Sequence, residues 1–186
     1  MELGQKYFYL IMNNALIINP PIRLDQDACY LPIGLGYIAD TLQKTGRQIN
    51  ILDFNLTRPS LAEAENQMIE YMAPYVLLTG MSIQWGFIKE YSNIVKKINP
   101  DCKVIVGGRV TAVPELVTSI DAVDYVVMYD GEDIIGKLLK CLDDNEDPIE
   151  ANVQGIATEI TGEIRKTIPQ AFEKNLEKFL ELSSLK

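Results

Sequence analysis

Histidine is missing from all 186 residues. The commonest general base, the Ser-His-Asp and Cys-His catalytic arrangements and the commonest zinc ligand are therefore excluded, and most familiar hydrolase mechanisms go with them. Cysteine is scarce. Cys29, Cys102 and Cys141 form no C-x-x-C pair and no closely spaced cluster-ligand set, so free thiols in a reducing compartment are expected. Basic charge is in deficit, with 17 Lys and Arg against 26 Asp and Glu for a formal charge of −9. Such a surface repels phosphate backbones, and neither nucleic acid nor anionic membrane is an expected partner. The apolar run Tyr7-Phe8-Tyr9-Leu10-Ile11-Met12 is too short to span a bilayer and lacks a small-residue cleavage site, which predicts a cytoplasmic protein.

What is present suffices for one α/β domain: hydrophobic residues make up 47% and charged residues 23%, close to the soluble globular average. Short Val- and Ile-rich runs at 15–18, 48–53, 75–79, 103–106 and 125–128 read as buried parallel strands. Helical stripes alternate with them. Leu35, Ile38, Ala39 and Leu42 form one stripe, ahead of Gly46 as a C-cap. Phe87 to Ile98 form a second and Ile134 to Leu142 a third, with weaker helices at 61–72 and 114–120. Strand-helix units in this order predict an open, doubly wound, flavodoxin-like sheet of five parallel strands in the order 2-1-3-4-5. Residues 155–168, with Thr161-Gly162 as the turn, predict a C-terminal hairpin. The expected division is an extension over 1–14, the α/β domain over 15–150, the hairpin within 151–168 and a linker or tail helix over 169–186. One additional edge strand is the alternative for residues 1–11.

Open α/β sheets collect ligand groups at the strands' carboxyl ends. Those ends carry Asn19-Pro20-Pro21-Ile22-Arg23, Gly80-Met81-Ser82, Gly107-Gly108 and Asp130-Gly131-Glu132. Glycine at three of the four lets a backbone approach a large flat ligand without a Cβ in the way; the alternative for each is an ordinary βα turn. Gly34-Leu35-Gly36-Tyr37-Ile38-Ala39, with Asp53 closing the second strand, has the letters of a dinucleotide fingerprint. However, Asn19 to Ile33 separate those glycines from the first strand, and the fingerprint requires a tight turn there. Close packing of the helix on the sheet is the expected role of Gly36. No phosphate-cradling GKS or GKT occurs, and Asn19 and Gly80 stand where a phosphoryl-accepting receiver domain needs aspartates. Asp130 and Glu132 alone are too few for a metal site.

Taken in order, Ile17-Ile18-Asn19-Pro20-Pro21, Leu31-Pro32-Ile33-Gly34-Leu35-Gly36-Tyr37-Ile38-Ala39, Gly80-Met81-Ser82, Val106-Gly107-Gly108 with Thr111 and Pro114-Glu115, and Asp130-Gly131-Glu132-Asp133 resemble the cobalamin-binding domain of B12-dependent radical SAM enzymes over about residues 15 to 168. In the wider cobalamin-binding family, a strand-end Asp-x-His-x-x-Gly places a histidine below cobalt, a later Ser-x-Leu contacts the base of the nucleotide tail, and Gly-Gly makes room for the tail. Here Asn19-Pro20-Pro21 replaces the first motif, Ser82-Ile83-Gln84 stands at the second with Gln84 in place of an apolar residue, and Gly107-Gly108 stands at the third. The segment between Gly108 and Pro114-Glu115 is one residue shorter than usual.

The resemblance implies a cobalamin bound base-off and without a His ligand, its corrin flat on the strand ends and its tail threaded between sheet and helix. The residues it implicates in binding are Asn19, Pro20, Pro21, Ile22, Gly80, Met81, Ser82, Gly107, Gly108, Asp130, Gly131 and Glu132, with none catalytic. Gly107 and Gly108 are expected to floor the tail channel. The implied partner is a radical SAM catalytic domain, in cis or in trans, of a methyltransferase or cyclase-like enzyme. No C-x-x-x-C-x-x-C for an iron–sulfur cluster occurs in this chain, so it is expected to bind rather than catalyse. A scaffold of the same fold that has lost the cofactor is the alternative, and a dinucleotide-dependent enzyme is a third reading.

Overall fold

A computed structural model of the chain describes residues 14–25 and 33–168. The expected extension over most of 1–14, the tail helix over 169–186, Cys29 and the Leu31-Pro32 pair lie outside the described residues. The chain order is β1 (Asn14–Asn19), α1 (Ile33–Lys44), β2 (Gln48–Asp53), α2 (Phe54–Thr57), α3 (Leu61–Glu70), β3 (Tyr75–Thr79), α4 (Trp85–Ile98), β4 (Lys103–Gly107), α5 (Pro114–Thr118), β5 (Tyr125–Val127), α6 (Glu132–Asp143), β6 (Ile156–Ile160) and β7 (Glu163–Lys166). Single 3₁₀ turns at Ser82–Gln84 and Arg109–Ala112 follow β3 and β4.

The first five strands are parallel in the order 2-1-3-4-5, and the sheet as a whole runs β2-β1-β3-β4-β5-β6-β7. The five parallel strands and their order are as expected, and the hairpin adds two antiparallel strands to the same sheet, seven among the described residues. The hairpin does not stand apart: β6 pairs antiparallel with β5, Val126 opposite Ala157 and Val127 opposite Ile156. Ala157 and Ile156 are both fully buried, and Thr158 Oγ1 donates to the carbonyl of Asp124 at 2.7 Å. A three-residue β5 would otherwise leave an apolar edge open; the hairpin covers it and presents a new edge, β7, whose Glu163, Arg165 and Lys166 are all exposed. Charged residues on a terminal strand discourage further strand pairing.

Side chains alternate across each strand, and the two sets build two cores. Leu16, Ile18, Val76, Leu78, Val104 and Val106 meet α3, α4 and α5 on one face. Ile17, Leu77 and Ile105 meet Leu35, Ala39 and Leu42 of α1 and Ile134, Ile135 and Leu138 of α6 on the other. α1 stops as expected, with Gly46 at φ +86° and Arg47 N–H returning to the carbonyl of Leu42 at 3.3 Å. Gly36 departs from expectation. Nothing lies within 4 Å of where its Cβ would stand, so close approach of helix to sheet is not its role. α3 starts at a reciprocal capping box, Ser60 with Glu63. No described helix is long and apolar enough to cross a membrane.

Candidate functional site

Register explains where the sheet opens. Ile17 pairs with Leu77, and Leu77 with Ile105, all on the α1/α6 face. One rung nearer the carboxyl ends, Thr79 pairs with Gly107, while Asn19 and Val127 end β1 and β5 on that same face. Asn19 is used at once: its Nδ2 donates to Asp53 Oδ1 at 2.8 Å across the β1–β2 end. Gly107 contributes no side chain, and nothing lies within 4 Å of its Cβ position. The result is a cleft of about 170 Å³ between the sheet and the N-terminal turns of α1 and α6. Its floor is Ile17, Leu77, Ile105 and Val127; Thr79, Tyr129, Asp130 and Glu132 supply its polar side chains.

Five of the twelve sequence-selected residues, Gly107, Gly108, Asp130, Gly131 and Glu132, line this cleft. Their glycines differ in kind. Gly108 has φ +86°, and a Cβ there would stand 2.8 Å from the Gly80 carbonyl oxygen and 2.8 Å from Thr79 Oγ1. It makes the tight βα turn that was the alternative to an open channel floor, whereas Gly107 supplies the open space. Gly131 differs again, with φ −72° and a Cβ position 3.2 Å from Ile38 Cδ1, the tip of a side chain that would have to give by a few tenths of an ångström.

The other seven, Asn19, Pro20, Pro21, Ile22, Gly80, Met81 and Ser82, lie at the same sheet edge, outside the cleft lining. Asn19, Pro20, Pro21 and Gly80 are buried. Ile22 N–H donates to Asn55 Oδ1 at 2.9 Å, and Arg58 bonds both Asn55 and the carbonyl of Arg23, so the loop after β1 is braced from α2. Asp53, which the dinucleotide reading casts as a ribose-binding acid, instead caps α2 through Leu56 N–H and accepts from Asn19. Gly34 and Gly36 lie inside α1, not at the turn after β1; the spatial context of a dinucleotide fingerprint is absent.

Gln84 is the residue that sequence reasoning undervalued. It is 2% exposed, and its Oε1 accepts from Met81 N–H at 2.7 Å while its Nε2 donates to the Pro20 carbonyl at 2.5 Å. One side chain thus ties the loop after β3 to the loop after β1. Replacing it with the apolar residue of the wider family, Gln84→Leu, keeps the volume but strands two backbone groups, and a loss of roughly 2 kcal/mol is expected. Urea unfolding measures the loss, and faster amide exchange at Met81 locates it; unchanged stability and exchange would show the clamp to be dispensable.

The cleft mouth is acidic. Burial, reinforced by the charges of Asp130 and Asp133, raises the pKa of Glu132. Among the described residues no group of three or more His, Cys, Asp or Glu side chains could hold a metal ion, and Asp130 with Glu132 is no exception. Cys102 is buried, with its thiol donating to the Ala73 carbonyl at 3.3 Å. Burial pushes its pKa up to about 12, which leaves it a poor nucleophile.

The family model of the B12 binding domain matches residues 23–139. No curated protein matches by sequence. Among solved structures, the radical S-adenosylmethionine methyltransferase TsrM from Kitasatospora setae, with cobalamin and a 4Fe–4S cluster bound, superposes with a TM-score of 0.72 at 18% identity. That match covers 90% of this chain and 30% of the other. The cobalamin-dependent S-adenosylmethionine radical enzyme OxsB, with aqua-cobalamin bound, superposes with a TM-score of 0.74 at 15% identity, over 90% of this chain and 24% of the other. The chain therefore spans less than a third of the length of either structural relative, and at these identities the likeness is one of fold.

Proposed function

The chain belongs to the B12 binding domain family, and from that membership we propose that it holds a cobalamin base-off, with the corrin across the strand ends and the nucleotide tail in the cleft between the sheet, α1 and α6. The observation that carries this reading is the aliphatic-floored cleft above Gly107, which opens at the carboxyl ends of the strands. Its inner walls suit a flat apolar base, and the missing Cβ of Gly107 leaves the way in. The bound cofactor supplies a cobalt centre able to accept and donate a methyl group or to take part in radical chemistry.

This chain's own residues bind and orient. The braced loop of Asn19, Pro20, Pro21 and Ile22 underlies the corrin, held in place by Gln84, Asn55 and Arg58. Met81 and Ser82 flank it from the end of β3. Asp130 and Glu132, at the mouth, accept hydrogen bonds from the amide groups that fringe the corrin, and Gly108 with Gly131 lets the backbone close around the tail. No residue of the chain can place an imidazole below cobalt, because the sequence has none. The reaction itself falls to a radical SAM catalytic domain, in the same polypeptide or a separate one, of a methyltransferase or related enzyme.

Electron paramagnetic resonance of the cob(II)alamin complex tests the axial assignment. The expected spectrum lacks nitrogen superhyperfine splitting. Clear splitting from an axial nitrogen would show the nucleotide base still on cobalt and would overturn the base-off arrangement. Failure to retain any corrin absorbance after incubation with hydroxocobalamin and desalting would instead favour a scaffold that has lost the cofactor.

A further inference from the structure

Ile17, Leu77, Ile105 and Val127 make the floor of the cleft entirely aliphatic, and none is more than 7% exposed. Leu35 of α1 and Ile135 of α6 face them across the gap. The backbone beneath offers nothing further, because β1, β3 and β4 are each paired on both sides. The polar side chains stand off that floor. Thr79 is one rung above Leu77, roughly 6.6 Å along the strand, and on the rung it shares with Gly107 and Val127 it is two strands, roughly 9.5 Å, from Val127, while Tyr129, Asp130 and Glu132 lie beyond the end of β5. A ligand group that reaches the floor therefore meets hydrocarbon on both sides, and a polar atom there gives up water without gaining a partner.

Building on the tail placement above, we propose that this floor selects among cobamides by the chemistry of their tail base. It accepts bases whose outer edge is carbon, such as a dimethylbenzimidazole or a methylphenol, and rejects purines, whose exocyclic amino group and ring nitrogens would be buried unpaired. Gly107 decides whether a base enters; Ile105 and Val127 decide which kind. Shape plays the smaller part, since adenine and dimethylbenzimidazole are both flat bicyclic rings and differ chiefly in where they carry nitrogen.

Equilibrium dialysis of the wild-type chain against four corrinoids, each held as cobalt(I) so that no tail base is on cobalt beforehand, tests this: cobalamin, a p-cresol-tailed cobamide, an adenine-tailed cobamide, and cobinamide, which has no tail. Cobalamin and the cresol cobamide are expected to bind within about threefold of one another, the adenine cobamide at least about tenfold more weakly, and cobinamide most weakly. Val127→Thr, nearly isosteric, adds one hydroxyl to the floor and should narrow the gap between adenine cobamide and cobalamin. Equal affinity for those two would overturn the selectivity, as would a gap left unchanged by Val127→Thr. Cobinamide binding as tightly as cobalamin would remove the tail from the cleft altogether, and no binding of any corrinoid would overturn the proposed function itself, so the failures are distinguishable.

Discussion

Gly107→Val is expected to weaken cobalamin binding by at least about a hundredfold, roughly 2.7 kcal/mol, with the melting temperature at or near that of the unsubstituted chain. Gly107 ends β4 opposite Thr79 and is not among the residues with positive φ, so its backbone accepts a β-branched residue without strain. No atom lies within 4 Å of the new Cβ, which leaves the fold undisturbed. The space the valine takes is the cleft itself. Its branched side chain cannot rotate clear in a strand, and it would occupy the passage above Ile105 that the nucleotide tail uses. Calorimetric titration with hydroxocobalamin beside a thermal melt reads both quantities on one sample. Unchanged affinity would remove the cleft from the binding site, and a collapsed melt would show that the Cβ position is crowded after all.

One residue further on, the same substitution should do the opposite. Gly108→Val is expected to cost roughly 3–5 kcal/mol of stability, a drop of roughly 6–20 °C in melting temperature for a chain of this size. At φ +86° a β-branched side chain is strained whatever surrounds it. Here the surroundings also refuse it, with the Gly80 carbonyl oxygen 2.8 Å and the Gly80 nitrogen 3.0 Å from the new Cβ. Those backbone atoms cannot move aside freely, because Gly80 N–H donates to Gly107 at 3.3 Å and its carbonyl accepts from Val110 at 2.9 Å. Circular dichroism melts of the two variants side by side give the contrast. A native melt for Gly108→Val would show that the turn tolerates a side chain and that the positive φ is not required.

The contrast between neighbouring glycines shows how far local pattern reaches. The strands at 15–18, 48–53, 75–79, 103–106 and 125–128 lie within the observed strands or within one residue of their ends, because a buried parallel strand advertises itself by an unbroken run of Val, Ile and Leu. Alternation with helices and the fixed hand of the crossovers point to an open doubly wound sheet; the order 2-1-3-4-5 is one of those such a sheet allows, and the observed sheet has it. The hairpin too was legible from its turn, yet its attachment to β5 was not. Pairing of Val126 with Ala157 joins residues 31 apart, and nothing local to either announces the other.

Absence of histidine, the acidic charge balance and the gathering of Asn19, Gly80, Gly107 and Asp130 at one sheet edge were readable from composition and topology alone, since strand ends converge whatever fills the core. Which of those residues faces open space was not. Gly107 and Gly108 are identical letters, and they are distinguished by alternation across β4 and by the positive φ of Gly108, where a Cβ would meet the Gly80 backbone. Gln84 appeared only as a departure from a motif, because its second partner, the Pro20 carbonyl, lies 64 residues away. Periodicity encodes which face a side chain takes. The hydrogen-bond partner it finds, and the void it leaves, depend on distant segments that meet only when the sheet is assembled.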